Sequence, residues 1–285
     1  MIPRNWPCKP QLVMLMGGPK MEGGLVLVGC GKMGSAMLEG WLSESISPSD
    51  IWILEPYPSD RLKDLQAQGL HLNEGLPQAP ALCMLAVKPQ YMKEALPQLK
   101  GMGATVFLSI AAGITLETLA NALGDGPIIR AMPNTPAAIR RGITALVGNR
   151  ASTPENMQLA EGLLQAIGET IQLDTEEQMD AVTALSGSGP AYVFHLIETM
   201  TKAGVAEGLP ETMAAKLATA TVAGAGMLAL EAPETAAQLR INVTSPAGTT
   251  EAGLKVLMDA EKGLSPLINQ TIKAAAERSR ALRDS

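Results

Sequence analysis

The chain has 285 residues, is 46% hydrophobic but only 3% aromatic, and carries a formal charge of −6. That length holds two domains of ordinary size, with a core filled by Leu, Ala, Val, Ile and the 16 Met. The acidic charge is spread along the chain, which argues against a nucleic-acid partner or a basic membrane-binding face.

Three cysteines (Cys8, Cys30, Cys83) give neither metal-ligand spacing nor an even disulfide framework. A reducing, cytoplasmic location and no metal site are therefore expected. With only His71 and His195, few His-based metal or triad schemes remain. No apolar run approaches the roughly 18 residues that span a bilayer. Residues 1–23, rich in Pro, Gly and Met, read as a loose arm, and Leu12–Met16 is too short for a signal sequence.

From residue 24 to 174 the pattern alternates strand with helix. Leu25–Val28 is an apolar run entering Gly29-Cys30-Gly31-Lys32-Met33-Gly34, and a helical pattern follows from Ser35. Strand, G-x-G-x-x-G, then helix is the context in which the glycine fingerprint has physical meaning. Gly29 permits the tight turn, Gly31 the approach of a pyrophosphate, and Gly34 close packing of helix on strand. The new helix offers N–H groups and a partial positive charge to phosphate. Ile51–Glu55 reads as a second strand ending in an acid, about twenty residues beyond the glycines, where a carboxylate meets the adenosine ribose.

A helix over Asp60–Gln68 and a short strand at Leu70–Leu72, with His71 at the surface, come next. Ala81–Val87 is a strand apolar on both faces, and Tyr91–Leu99 a helix. Thr105–Ile110 is another strand, Thr115 caps a helix over Leu116–Leu123, and Pro127–Ala131 and Ile143–Val147 are strands. The helix Pro154–Ile167 and the strand Glu169–Leu173 complete a Rossmann-type, doubly wound parallel sheet, an α/β fold.

In such a sheet the ligand lies beyond the carboxyl ends of the strands. Besides the glycine loop, Ala86-Val87-Lys88-Pro89, Ser109–Gly113 and Met132–Pro136 fall there. The small residues Ala111, Ala112 and Gly113 let a ribose and nicotinamide come close. Asn134 and Thr135 offer fixed polar groups, or simply satisfy the backbone of their own turn.

From 175 to 285 only helix-period segments occur: Glu176–Leu185, Pro190–Gly208, Pro210–Ala232, Thr235–Val243, Gly248–Asp259 and Leu264–Leu282. Leu185–Ala191 is a small-residue turn entering a helix, and Thr244–Thr250 repeats the theme; either suits a small carboxylate, or merely caps its helix. His195 sits among Phe194, Leu196 and Ile197 and reads as a packed core histidine. Pro210–Ala232 is apolar all round and needs burial. A domain of this size cannot easily bury it alone, so a second copy of the chain is expected to cover it.

On Ala86–Pro89, Met132–Pro136, Asp180–Tyr192 and Thr244–Thr250, the sequence resembles the pyrroline-5-carboxylate reductases from about Leu25 to Leu282. The resemblance implies an NADPH-binding Rossmann domain and an all-α domain that interlocks with a partner's to form a homodimer. It implies that the glycine loop, Asn73, Ala86–Lys88 and Ala111–Gly113 contact the dinucleotide and that Asn242, Thr249 and Thr250 complete the active site from the helical domain; Glu55, Pro89, Asn134 and Asn242 join the expected cofactor-binding set. It places the substrate carboxylate on the backbone of Ala247, Gly248, Thr249 and Thr250, with the Thr250 hydroxyl on the ring nitrogen as the catalytic group. Two positions depart from the family pattern: Ala247 stands for the usual Gly and Ile241 for the usual acid.

The implied reaction is reduction of 1-pyrroline-5-carboxylate to L-proline. NADH is an alternative cofactor, because Glu55 would repel a 2′-phosphate, with Arg61 the nearest cation in sequence to offset it. A 3-hydroxyisobutyrate-type dehydrogenase is the enzymatic alternative, but none of Lys202, Lys216, Lys255, Lys262 and Lys273 lies in a glycine-rich segment. A non-catalytic NADPH-binding regulator is the alternative from another class.

Overall fold

The computed structural model describes residues 23–283, so the expected arm lies outside the described residues apart from Gly23. Eight strands form one sheet in the order β3-β2-β1-β4-β5-β6-β7-β8. They are β1 Leu25–Val28, β2 Ile51–Leu54, β3 His71–Leu72, β4 Leu82–Leu85, β5 Val106–Ser109, β6 Ile128–Met132, β7 Gly142–Gly148 and β8 Gly168–Gln172. The chain starts in the middle of the sheet and winds outward both ways. The switch at β1 opens the crevice where a doubly wound sheet takes its ligand.

Alternate residues of the central strands feed two cores. Leu25, Leu27, Ile53, Met84 and Leu108 enter one, while Val26, Val28, Cys83, Leu85 and Phe107 enter the other. That is the two-residue period of strands covered on both faces. Helices α1 Lys32–Ser43, α2 Asp60–Gln66 and α5 Pro154–Gln165 cover the first core; α3 Met92–Ala95 and α4 Leu116–Leu123 cover the second. The helix expected over Tyr91–Leu99 is broken into 3-10 turns around α3, with Pro89 and Pro97 as the natural interrupters. α1 is pinned to α5 where Trp41, fully buried, donates its indole N–H to the Leu163 carbonyl at 3.0 Å.

The sheet is not wholly parallel: β7 runs antiparallel to β6. A parallel return needs a crossover of about a dozen residues or more. The connection 133–141 is shorter and holds only a 3-10 turn over Thr135–Ile139. Its fold-back is fixed by Asn134, whose Oδ1 accepts the Ile143 N–H at 3.0 Å, and by Arg140 at φ +55°.

Contacts divide the described chain into a sheet unit, 23–187 with 275–283, and a helical unit, 188–274. In the sheet unit, α6 Gln178–Val182 runs into a π-helical turn over Thr183–Gly187. The small-residue turn expected over Leu185–Ala191 is therefore helical in its first part, Leu185–Gly187, wound one residue wider, and enters α7 at Gly189. Thr183 and Ser186 donate their hydroxyls back to the Met179 and Val182 carbonyls at 2.8 and 3.2 Å. The helical unit contains α7 Gly189–Ala206, α8 Glu211–Glu231, α9 Ala236–Asn242 and α10 Thr249–Leu257. It also contains the first half of α11, Leu264–Arg283, whose last turns belong to the sheet unit.

α7 and α8 form a hairpin packed closely at Gly204, where an added Cβ would sit 3.3 Å from that of Ala214. Two expectations change here. α8 is 21 residues long and, by length and composition, could cross a membrane, so the described residues do hold one helix of that size. The sequence reads it as apolar all round and in need of burial, not as a span. His195 is exposed, not packed in a core; its ring nitrogen lies 3.3 Å from Glu198 on the same helix. Its neighbours Phe194 and Leu196 are exposed as well.

Candidate functional site

Gly29 ends β1 at φ +88° and donates its N–H to the Leu54 carbonyl at 2.8 Å. A side chain here would be strained and would meet Val87. Gly34 is buried, and a Cβ on it would fall on the Gly29 carbonyl oxygen, so its role is the close approach of α1 to the strand. Gly31 differs from both. Its φ is −70°, open to any residue, and an added Cβ would meet nothing within 4 Å. The fold does not require glycine there, and the space beside it is open. α1 starts at Lys32 without a side-chain cap. Its first N–H groups, at Lys32, Met33 and Gly34, lack intrahelical acceptors and suit phosphate.

Glu55 follows β2 and turns back to this loop. Its Oε2 accepts the Cys30 N–H at 2.7 Å and its Oε1 the Tyr57 N–H at 3.0 Å. Asn73, at φ +54°, brackets the same residue: the Glu55 N–H donates to Asn73 Oδ1, and Asn73 Nδ2 donates to the Glu55 carbonyl, both at 2.9 Å. Burial, and to a lesser degree the nearby Glu55 and Glu39, push the Cys30 thiol pKa up, so this cysteine is a packing group in the loop and no thiolate nucleophile.

Ala86 and Val87 are half-buried beside the glycine loop, while Lys88 and Pro89 are exposed. Ala111 is buried, with its N–H on Ser109 Oγ at 3.3 Å. Gly113 is small for a reason other than the ligand. At φ +77° its Cβ position faces the Leu282 carbonyl of α11 at 3.1 Å. The side-chain oxygen of Asn134 is spent on the turn already described.

In the helical unit, Asn242 ends α9 and accepts from Gln238 Nε2 at 2.8 Å. Ala247 has φ +56°, the left-handed region that favours glycine. Its N–H donates to Glu251 Oε2 at 2.7 Å. Gly248 is the N-cap of α10 without a side-chain cap, and Thr249 and Thr250 lie exposed in the first turn. The structure thus gathers the expected residues into two groups: the glycine loop with Glu55, Asn73 and Ala86–Pro89, and Ala247–Thr250. Among the described residues no cluster of His, Cys, Asp or Glu could hold a metal ion.

Sequence reasoning missed a buried ionic group. Arg130, 1% exposed in the middle of β6, places Nη1 2.7 Å from Glu176 Oε1, which also accepts the Leu116 N–H at 2.9 Å. One arginine in an otherwise apolar strand was the available signal. The pair ties the start of α4, just beyond Ala111–Gly113, to the segment entering α6.

Two family models match the chain: pyrroline-5-carboxylate reductase dimerisation over residues 176–282 and NADP oxidoreductase, coenzyme F420-dependent, over 25–113. A pyrroline-5-carboxylate reductase of Synechocystis is 38% identical over 264 residues, covering 90% of this chain and 97% of the relative. Among solved structures, a pyrroline-5-carboxylate reductase from Coxiella burnetii superposes with a TM-score of 0.84 at 33% identity, covering 91% and 98% of the two chains. The Plasmodium falciparum pyrroline carboxylate reductase with NADP bound gives 0.80 at 26%, covering 94% and 100%. With its fingerprint loop, its helical segment and this likeness along nearly its whole length, the chain belongs to the pyrroline-5-carboxylate reductase family.

Proposed function

We infer that this chain reduces 1-pyrroline-5-carboxylate to L-proline with NAD(P)H, as a homo-oligomer joined through its helical segment. The observation that carries the reading is the conformation of Gly31: glycine stands where the fold asks for none and where a phosphate needs the space. Bound there, the dinucleotide supplies hydride to the imine carbon. The protein's own work is placement. The backbone N–H groups of Lys32–Gly34 take the pyrophosphate, Gly29 and Gly34 hold the loop, and Glu55 with Asn73 frames the adenosine end. Ala86, Val87, Lys88, Pro89, Ala111, Ala112, Gly113, Asn134 and Asn242 complete the cofactor-binding set.

The substrate carboxylate rests at the start of α10, Ala247–Thr250, where the helix dipole favours an anion and where it would take the place of the Glu251 carboxylate on the Ala247 N–H. The Thr250 hydroxyl bonds the ring nitrogen as it becomes an amine. A protonated imine is already electrophilic, so positioning suffices without a strong general acid. The domain boundary of the reading is 174/175, and the location is the cytoplasm, in keeping with two unpaired cysteines among the described residues.

NADH and NADPH oxidation with pyrroline-5-carboxylate, set against NAD+ and NADP+ reduction with 3-hydroxyisobutyrate, tests the reaction; turnover of the hydroxy acid alone overturns it. Gly31→Val tests the site. Its φ is compatible with valine, so the folded protein is expected to lose dinucleotide affinity by about 100-fold or more, since a side chain fills the phosphate's place. Unchanged affinity in fluorescence titration would remove the glycine loop as the phosphate site.

A further inference from the structure

We propose that Glu55 makes this enzyme prefer NADH over NADPH; the proposal rests on the reading that Gly29–Gly34 binds the dinucleotide. Glu55 occupies the end of β2, where a doubly wound sheet presents the adenosine ribose. It is fixed there at four points. Both carboxylate oxygens accept main-chain N–H groups, of Cys30 at 2.7 Å and Tyr57 at 3.0 Å. Its own N–H and carbonyl are both held by the Asn73 amide at 2.9 Å. Two bonds on its carboxylate, together with the Asn73 clamp on its backbone, oppose its swinging away to admit a phosphate.

Each carboxylate oxygen has a further lone pair for a ribose hydroxyl. A ribose bearing a 2′-phosphate would instead set two anions against each other. The two cations that follow Glu55 in sequence are engaged. Between residues 51 and 66 the sequence holds only Arg61 and Lys63. Arg61 forks onto Glu39, Nε to Oε1 at 2.7 Å and Nη2 to Oε2 at 3.1 Å. Lys63 is 2.9 Å from Asp60. The Arg61–Glu39 pair is exposed and weak, so a phosphate could recruit Arg61 only by leaving Glu39 unpaired while still facing Glu55.

The test is the dissociation constant of NADH and of NADPH by protein fluorescence quenching, with competition by 5′-AMP and 2′,5′-ADP isolating the ribose end. The intact protein is expected to bind NADH and 5′-AMP about ten-fold or more tighter than their 2′-phosphorylated counterparts. In Glu55→Gln the two affinities converge, because the amide oxygen keeps one N–H bond while the charge is gone. Glu55→Ser, checked by circular dichroism alongside it, gives the same convergence without relying on a single variant. Glu39→Ala, which frees Arg61, raises NADPH affinity by less than the Glu55 substitutions do. Equal or tighter binding of NADPH by the intact protein overturns the proposal, as does an unchanged ratio in a folded Glu55 variant. Binding of neither dinucleotide overturns the parent reading, and the proposal falls with it.

Discussion

Val26 in β1 and Leu217 in α8 are both apolar residues at the middle of regular elements, yet the first is 0% exposed and the second 51%. The difference runs through the two units. Nearly every strand residue of β1, β4, β5 and β6 is buried, so the sheet unit closes its own core from both faces. In the helical unit α7 buries no residue at all, and α8 buries only Ala214 and Ala218. Met213, Leu217, Met227, Leu228 and Leu230 remain exposed along α8. Apolar surface on this scale marks an interaction site, and the dimerisation family model covers this segment. One unit is stable by its own packing; the other is half of a core whose remainder is a second chain.

The comparison is broken most severely on the side of the sheet. Gly34→Val places a side chain on the Gly29 carbonyl oxygen, and overpacking against backbone has no flexible neighbour to absorb it. Loss of about 3 kcal/mol or more of stability is expected, measured by urea unfolding. Gly31→Val, in the same loop, is expected to unfold within about 0.5 kcal/mol of the parent, so the pair separates a glycine required by packing from one required by the ligand. On the helical side, Leu217→Glu combined with Leu228→Glu puts charge on the uncovered face. The dimer should weaken by about 2–4 kcal/mol, roughly 100-fold, in sedimentation velocity. Dinucleotide affinity should persist in the resulting monomer, because the glycine loop belongs to the self-sufficient unit. Full dimer strength in that variant would place the partner surface elsewhere.

The smallest effect is expected at Ala247. A non-glycine residue at φ +56° carries strain of about 1 kcal/mol. Ala247→Gly should therefore raise the thermal midpoint by about 1–4 °C, less any gain in unfolded-chain entropy. A lowered midpoint would mean that the methyl group packs usefully.

The strands were legible because residues buried on both faces leave uninterrupted apolar runs, as in Ala81–Val87. The glycine loop was legible because strand, turn and helix occur in one fixed order. The direction of β7 was not, since composition carries no sign of polarity; only the brevity of the connection 133–141 decides it. His195 misled because apolar neighbours imply burial only when the helix has something to be buried against within its own chain. Glu55 was found by its distance from the glycines, but its bonds to Cys30 and Tyr57, and the diversion of Arg61 to Glu39, depend on side-chain directions that spacing does not encode. Arg130 and Glu176, 46 positions apart, join residues that only the finished sheet brings together.

Asp180 is buried in α6, ahead of the π-helical turn, and its partners come from α11: Ser279 Oγ donates to Oδ1 at 2.7 Å, and Arg283 Nη2 lies 3.1 Å from Oδ2. The Ser279 donor arrives 99 positions later. During synthesis, at about 5–20 residues per second, the sheet can be laid down while this carboxylate still waits for the last helix to leave the ribosome. The sheet unit is therefore closed only once α11 has been made, and a nascent chain stopped short of Ser279 has neither partner for Asp180.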